Sequence, residues 1–232
     1  MGACTLAGQR RSFRREAEGH RRDALIAAAI ECVAAGGPAA ATVRAIADRA
    51  GVTPGLIRHY FASKEDLLSA AYIRLMTQMT EDAQQVLDGA PVSAFERLIA
   101  FAVASVTPPV ADARALSLWA GFLNRMLSDQ SMRKVHGQAY LAFRDLLQTL
   151  IEAALNEAGL PCSPARLRQL AIAGNALIDG LWLEGSALPE AFEPGELAEI
   201  VRDGIAALLH LPPEHRVGGA PKGSDQMGKS PI

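Results

Sequence analysis

The sequence predicts an all-helical (all-α) protein: an N-terminal three-helix domain with a helix-turn-helix motif, then a larger helical domain, with about nine helices in total. Half of the 232 residues are hydrophobic and only 5% are aromatic, and the abundance of Ala and Leu favours helices. Apolar residues recur at intervals of three and four along most of the chain, and no segment alternates as a strand does. We therefore divide the chain into residues 1–20, 21–68, 69–211 and 212–232.

The two ends of the chain are predicted to be irregular. Residues 1–20 contain Arg10, Arg11, Arg14 and Arg15 with little apolar periodicity, which predicts a flexible basic arm. No uninterrupted apolar stretch follows these charges, so a secretory signal peptide is not expected. Residues 212–232 are rich in Gly, Pro, Lys and Ser without periodicity, which predicts a disordered tail.

The first helix is predicted over residues 21–35, because its apolar residues share one face and the pair Gly36 and Gly37 follows it. That face consists of Leu25, Ala28, Ala29, Cys32 and Val33. Cys32 is therefore expected in the core.

A short second helix is predicted to follow Thr42, which can cap its N-terminus. Its apolar stripe consists of Val43, Ile46, Ala47 and Ala50. Ala47 is small enough for a close helix crossing. Gly51 can take the left-handed backbone angle that ends the helix and turns the chain. These features predict the first half of the helix-turn-helix motif.

The second half of the motif is predicted to begin at Thr53, a good N-cap, with Pro54 in the first helical position. Ile57 and Phe61 point inward in this helix. The outer surface is then formed by Gly55, Leu56, Arg58, His59 and Tyr60. Such a surface can enter the major groove of DNA.

The charge distribution also indicates a nucleic-acid partner. Residues 1–64 contain ten Lys and Arg against five Asp and Glu, a net charge of +5. The remaining residues contain 13 basic and 20 acidic side chains, a net charge of −7, so the total of −2 hides a basic N-terminal end. The Arg residues of the arm could reach the adjacent minor groove, or they could be a solvated leader or lie upstream of the true start.

Residues 42–64 closely resemble the DNA-binding domain of the tetracycline-repressor (TetR) family of bacterial transcriptional regulators, and residues 21–35 resemble its first helix. The resemblance implies that phosphates are gripped by His59, Tyr60 and Lys64. It implies that bases are read by Arg44, Gly55, Leu56 and Arg58. The family often has Tyr at position 58, where Arg could contact guanine, worth about 1–3 kcal/mol of discrimination, or a phosphate. The full predicted DNA-contacting set is Thr42, Arg44, Thr53, Gly55, Leu56, Arg58, His59, Tyr60 and Lys64.

Four more helices are predicted before the C-terminal pair, over residues 64–87, 93–106, 111–127 and 130–158. Ser63 is expected to cap the first of them, supported by Asp66 three residues later. At about 1.5 Å per residue this helix is roughly 35 Å long, enough to connect two domains mechanically.

The last two helices, residues 164–187 and 196–211, are predicted to form a homodimer interface. The first is apolar on more than one face, because Ile172, Ala173 and Leu183 lie outside its main stripe. Helices that need apolar neighbours on two sides, with Gly and Ala allowing close approach, indicate a four-helix bundle made by two copies. The resemblance implies the same interface, with recognition helices about one DNA turn apart. Alternatively, both helices only close the core of one chain.

The resemblance further implies a ligand held among the middle helices, which tilts the long fourth helix. Two short runs, GLIRHYF and LIDGLWLEGSAL, are similar to the BetI-type subgroup, which controls glycine betaine synthesis from choline. A quaternary ammonium would need aromatic faces and a carboxylate. The candidate ligand-binding residues are Trp119, Phe122, Tyr140, Phe143, Asp179 and Trp182, with Glu184 as a further carboxylate. Alternatively, the aromatic residues are ordinary core or dimer packing, and the acids cap, pair or face solvent.

These observations predict a ligand-responsive repressor that is not an enzyme and needs no cofactor or metal. Five His residues are scattered without any catalytic, phosphate-loop or metal-spacing motif. Three well-separated Cys residues predict reduced thiols in the cytoplasm, and no apolar run is long enough for a membrane span. The alternatives are a regulator of an efflux or catabolic operon with an unrelated hydrophobic ligand, and a DNA-binding dimer without a ligand. Repression itself rests on the resemblance.

Overall fold

The computed structural model describes residues 3–89 and 93–210, and for residues 3–17, 124, 125 and 128 it describes the backbone only. All regular structure within these ranges is helical, as predicted. The helices are α1 (Ala3–Ala40), α2 (Val43–Ala50), α3 (Pro54–Tyr60), α4 (Lys64–Gln85), α5 (Ala94–Ser105), α6 (Ala113–Ser128), α7 (Gln130–Glu157), α8 (Pro164–Ala187) and α9 (Glu196–Leu208). A short 3-10 helix, Pro189–Ala191, precedes α9 and was not predicted.

Helix α1 begins at Ala3, so the backbone of residues 3–20 is helical where the sequence predicted a flexible arm. The physical reason is local: Arg, Ala and Glu are strong helix formers, and a helix lengthens readily from a turn that already exists. Helical geometry is broken at Gly36 and at Gly37, which has a φ of 72°, so the first helix of the compact domain ends where it was predicted to end. The predicted tail, residues 212–232, lies outside the described ranges.

Helices α1 to α4 enclose a hydrophobic core at the N-terminal end. Its buried members include Leu25, Ala29, Cys32, Val33, Ile46, Ala47, Ile57, Phe61, Leu67 and Leu68. The predicted apolar faces of the motif helices are therefore confirmed. Among the described residues, one segment, Glu18–Ala40, is long and apolar enough by composition to cross a membrane, but its apolar face packs into this core.

A second core lies among α5, α7, α8 and α9, and α4 connects it to the first. Helix α4 contributes Tyr72 to the N-terminal core and Ala83 to the C-terminal one. Phe122 from α6 and Met132 from α7 reach back into the N-terminal core, so the two domains are packed against each other. A change in the C-terminal domain can therefore be transmitted mechanically to the helix-turn-helix motif.

Helices α8 and α9 cross closely within the chain. A Cβ atom added at Gly185 would lie 2.5 Å from Leu197, and one added at Gly204 would lie 2.5 Å from Leu177. These glycines serve a crossing inside one chain, whereas the sequence suggested that small residues allow two chains to approach. Ile172, Leu183 and Ile200 are nevertheless exposed on the same two helices.

Candidate functional site

The helix-turn-helix motif is built from local hydrogen bonds that the sequence specifies. Thr42 Oγ1 accepts a hydrogen bond from the backbone N–H of Ala45 at 3.1 Å, which caps α2. Gly51 has a φ of 66°, and its backbone N–H donates back to α2, which ends the helix as predicted. Thr53 occupies the N-cap position of α3, but its side chain makes no capping hydrogen bond. The hydroxyl of Thr53 is thus not needed to cap the helix.

Helix α3 presents one face to solvent and one to the core. Ile57 is 2% exposed and Phe61 is 6% exposed, so both point inward as predicted. The predicted contact residues Thr42, Arg44, Thr53, Gly55, Arg58 and His59 are exposed, and Leu56, Tyr60 and Lys64 are partly exposed. The rings of His59 and Tyr60 meet edge to face, with centroids 5.1 Å apart. The structure therefore brings all nine residues to the surface around one short helix.

The positive charges on this surface differ in whether they are already paired. Arg49 Nη1 lies 3.0 Å from Glu31 Oε2, so its charge is partly balanced within the protein. Arg44, Arg58 and Lys64 form no ion pair within the described ranges. Lys64 is the first residue of α4, where unpaired backbone N–H groups also favour an anion. Arg44, Arg58 and Lys64 therefore leave this surface suited to a polyanion.

A cavity of about 370 Å³ lies in the C-terminal domain between α4, α6, α7 and α8. Its volume falls within the usual range for small-molecule sites. Five of the predicted ligand residues line it, namely Trp119, Tyr140, Phe143, Asp179 and Trp182. Trp119 and Trp182 meet edge to face, with ring centroids 5.6 Å apart, and Trp182 Nε1 donates to the carbonyl oxygen of Val110 at 2.9 Å. The indole of Trp182 is therefore held in one orientation.

Two candidates lie elsewhere. Phe122 is fully buried and packs against Tyr72 in the N-terminal core, with ring centroids 5.1 Å apart, so its assignment to the ligand site is wrong. Phe122 is three residues from Trp119 on α6, yet the two rings face different cores. Glu184 is exposed and does not line the cavity.

Asp179 is the carboxylate that lines the cavity, and its hydrogen bonds come from neutral side chains. Its Oδ2 accepts hydrogen bonds from Tyr140 Oη at 2.5 Å and from Asn175 Nδ2 at 2.7 Å. Burial raises the pKa of Asp179, and these two hydrogen bonds oppose that rise. Burial and the neighbouring carboxylate raise the pKa of Tyr140 to about 12, so Tyr140 remains a donor at neutral pH. No Lys or Arg pairs with Asp179 within the described residues.

A second set of contacts connects this carboxylate to α4. The ring of His136 stacks on that of Tyr140, with centroids 5.4 Å apart. The Nδ1 atom of His136 lies 2.5 Å from Tyr72 Oη, which belongs to the N-terminal core. Burial raises the pKa of Tyr72 and lowers that of His136, so a neutral hydroxyl meets a neutral imidazole, and the tautomer of the ring decides which of the two donates. Side-chain contacts thus run from Asp179 through Tyr140 and His136 to Tyr72.

The sequence did not predict His136 or Asn175 as site residues, although a signal was present for both. His136 lies four residues before Tyr140 on α7, and Asn175 lies four residues before Asp179 on α8. Residues at this spacing share a helix face. Asn175 is also a polar residue in an otherwise apolar segment, and it is 2% exposed.

A second cavity, of about 550 Å³, lies between α1, α4 and the start of α6. Charged residues from all three elements line it, namely Asp23, Arg74, Asp82, Asp112 and Arg114. No aromatic residue is among those that line it in the described part of the chain. The smaller, aromatic cavity is therefore the better site for an organic cation.

An exposed, basic helix-turn-helix motif joined to a helical domain with a small-molecule cavity defines a class of protein: a transcriptional regulator that carries its DNA-binding and effector domains in one chain. Residues 25–71 match the family described as bacterial regulatory proteins, tetR family. Residues 94–210 match the C-terminal domain described as BetI-type transcriptional repressor. The chain therefore belongs to the TetR family of transcriptional regulators, with a BetI-type C-terminal domain, and it is not an enzyme.

Relatives and solved structures support this assignment over most of the chain. The HTH-type transcriptional regulator BetI of Serratia proteamaculans is 32% identical over 199 residues, which cover 83% of this chain and 96% of the relative. BetI of Burkholderia thailandensis is 27% identical over 190 residues, with 82% and 93% covered. The crystal structure of a transcriptional regulator from Pseudomonas aeruginosa PAO1 is 31% identical, with a TM-score of 0.75 and coverage of 86% and 94%.

A further solved structure is a regulator from Saccharomonospora viridis in complex with choline. It is 20% identical to this chain, with a TM-score of 0.62, and the alignment covers 83% of this chain and 96% of that protein. At this identity the likeness concerns the fold alone.

Proposed function

We propose that the protein is a homodimeric, cytoplasmic repressor that leaves its operator when a quaternary ammonium effector, such as choline or a related betaine-pathway compound, enters the aromatic cavity. Asp179 carries this proposal: it is a half-buried carboxylate without a basic partner among the described residues, in a cavity lined by aromatic rings. A buried charge is costly unless it is paired. A bound cation would supply the missing positive charge.

The aromatic side chains suit such a cation. Trp119, Tyr140, Phe143 and Trp182 come from three helices and line the same cavity. A cation over an aromatic face gains about 0.5–2 kcal/mol, most when water is excluded. A quaternary ammonium has no N–H to donate, so it relies on such faces and on a nearby carboxylate. The choline bound by the Saccharomonospora viridis regulator makes choline a reasonable first ligand to test.

The proposed domains divide the chain between operator binding and effector binding. Residues 21–68 bind the operator, and residues 69–211 bind the effector and form the dimer. Regulators of this family typically act as dimers. We assign the interface to α8 and α9, where Ile172, Leu183 and Ile200 are exposed. A two-fold interface there would place two copies of α3 on one face of the DNA.

Effector binding is proposed to reach the DNA through α4. A cation at Asp179 would compete with Tyr140 for the carboxylate oxygen, since Tyr140 donates to it at 2.5 Å. Any shift of Tyr140 moves the stacked ring of His136 and alters its hydrogen bond to Tyr72 on α4. Because Tyr72 is packed in the N-terminal core, α4 and the helix-turn-helix motif respond together.

The test of this function is fluorescence-anisotropy binding of the full-length protein to the intergenic DNA upstream of its own gene. We expect tight binding that weakens by a factor of roughly 10³ or more between 50 and 200 mM salt. We also expect choline or betaine aldehyde to weaken it further. Binding no tighter than to random DNA would contradict the assignment of this operator. Binding that neither compound affects would contradict the effector.

Substitutions in the DNA-contacting surface should separate two kinds of contact. Lys64→Ala and Tyr60→Phe should weaken binding to all sequences similarly, because phosphates carry no sequence information. Arg44→Ala and Arg58→Ala should change sequence preference, each by about 1–3 kcal/mol at the base they contact. Binding to a panel of single-base operator variants measures both effects.

Arg49→Gln is the matched control for these substitutions, since Arg49 is already paired with Glu31. It removes one positive charge from the same domain and should change affinity least. Uniform loss from all four test variants, with no change in preference, would contradict the division between base readers and phosphate contacts.

A further inference from the structure

One buried polar atom at the aromatic cavity has no hydrogen-bond partner among the described residues. It is Oδ1 of Asn175, a cavity-lining residue that is 2% exposed. The other polar atom of the amide, Nδ2, donates to Asp179 Oδ2 at 2.7 Å and lies 2.6 Å from Tyr140 Oη. Asn175 therefore uses one end of its amide within the protein and leaves the other end without a donor.

The orientation of this amide follows from its neighbour. If the amide were turned over, Oδ1 would face the carboxylate oxygen of Asp179, and two acceptors would meet without a proton between them. Nδ2 must therefore face Asp179. A buried amide oxygen that lacks a donor destabilises the folded protein, so stability alone does not explain an Asn at this position.

We infer that Asn175 determines effector specificity: its Oδ1 accepts a hydrogen bond from a hydroxyl of the effector, beside the cationic group that Asp179 binds. This inference rests on the proposed function and names the chemical class of effector as a hydroxylated quaternary ammonium. Asn175 lines the cavity and no described residue donates to its Oδ1, so we assign the donor to the effector. An effector with a carboxylate in place of the hydroxyl would bring an acceptor to Oδ1 and a negative charge toward Asp179, so zwitterionic analogues bind poorly.

The two ends of the amide thus have different roles. Nδ2 holds Asp179 and Tyr140 in place before the effector binds, and Oδ1 accepts the hydrogen bond from the hydroxyl of the effector. A site built to hydrogen-bond a hydroxyl discriminates strongly against an analogue that lacks it, because the buried acceptor then stays unpaired in the complex.

The test is calorimetric titration of the full-length protein with two cations of the same shape. Choline carries a hydroxyl where propyltrimethylammonium carries a methyl group. The wild-type protein should bind choline roughly 5- to 100-fold more tightly, the ratio expected when a buried acceptor loses its donor. In Asn175→Ala this preference should fall below about twofold, because the acceptor is absent.

Ile178→Val is the matched control. Ile178 lines the same cavity from the same helix and has no polar atom, so this variant should keep the wild-type preference for choline. Circular dichroism and thermal melting establish that each variant is folded. If Asn175→Ala does not fold, Asn175→Leu, which keeps the size of the side chain but has no acceptor, is measured in its place, with the same loss of preference expected.

The outcomes separate this inference from the proposed function. Equal binding of the two cations by the wild-type protein would overturn the role of Asn175 and leave the cation site intact. A folded Asn175→Ala variant that keeps the preference would likewise overturn it, because another group would then read the hydroxyl. Failure of the wild-type protein to bind either cation would overturn the proposed function itself.

Discussion

Asp179→Asn is expected to abolish the response to a cationic effector while leaving the free protein able to bind DNA. The substitution removes the negative charge but keeps the size of the side chain and an oxygen that can still accept from Tyr140 and Asn175. Removing one partner of a partly buried charge pair costs about 2–5 kcal/mol, so the Kd for choline should rise at least about 30-fold. Operator affinity without effector should change little, because Asp179 lies in the C-terminal domain, away from α3.

Glu184→Gln is the control for this substitution. Glu184 is a carboxylate on the same helix, but it is exposed and does not line the cavity. Its variant should bind choline as the wild-type protein does. A Glu184→Gln variant as impaired as Asp179→Asn would indicate a general effect of charge. An Asp179→Asn variant that still responds fully to choline would contradict a cation site at Asp179.

Tyr72→Phe is expected to separate effector binding from its effect on DNA. The substitution removes only the hydroxyl that is hydrogen-bonded to His136, and Tyr72 does not line the cavity. Choline should therefore bind with nearly wild-type affinity. Coupling between two sites typically changes affinity by a factor of 5–150, and in this variant we expect it to fall below about threefold. Operator affinity measured with and without saturating choline gives the coupling factor directly.

Thr80→Val is the matched control for Tyr72→Phe. Thr80 is another hydroxyl residue on α4, but its Oγ1 donates to the backbone carbonyl of Met76 on the same helix. Its variant should retain coupling, and because Thr80 lines the cavity, the Kd for choline is measured alongside the coupling factor. Wild-type coupling in Tyr72→Phe would show that the signal takes another route to α4.

The helix-turn-helix motif could be predicted from the sequence because its determinants are local. The Thr42 cap, the left-handed Gly51 and the Pro54 helix start each act within a few residues. Each is also a residue type with a strong backbone preference. The inward positions of Ile57 and Phe61 followed from helical spacing alone. Burial and exposure in this domain therefore agree with the sequence pattern.

The ligand cavity could be predicted only in part, because it is assembled from helices that are distant in sequence. Trp119 and Phe122 are three residues apart on α6, so the sequence pattern places both on the same side of the helix. Only the packing of α6 between two cores directs Trp119 to the C-terminal core and Phe122 to the N-terminal one. The contact between His136 and Tyr72 joins residues 64 positions apart. A sequence pattern shows which residues share a helix face, but it does not show which neighbouring helix that face meets.

For the N-terminal segment, the sequence analysis failed to predict a local feature, the backbone conformation. Its Arg residues and weak apolar periodicity suggested an irregular arm, because periodicity reports packing rather than backbone propensity. The backbone is helical from Ala3, as an extension of a helix that the core already fixes further along. Composition alone did not distinguish a helical extension from a flexible one.

The most direct test of effector-controlled repression compares choline with its neutral carbon analogue, 3,3-dimethylbutan-1-ol, for release of the wild-type protein from operator DNA. The two molecules share shape and hydroxyl, and they differ in the positive charge that Asp179 and the aromatic rings are proposed to bind. Choline should release the operator at concentrations where the neutral analogue has no effect. Equal release by both molecules, or release by neither, would contradict a repressor controlled by an organic cation.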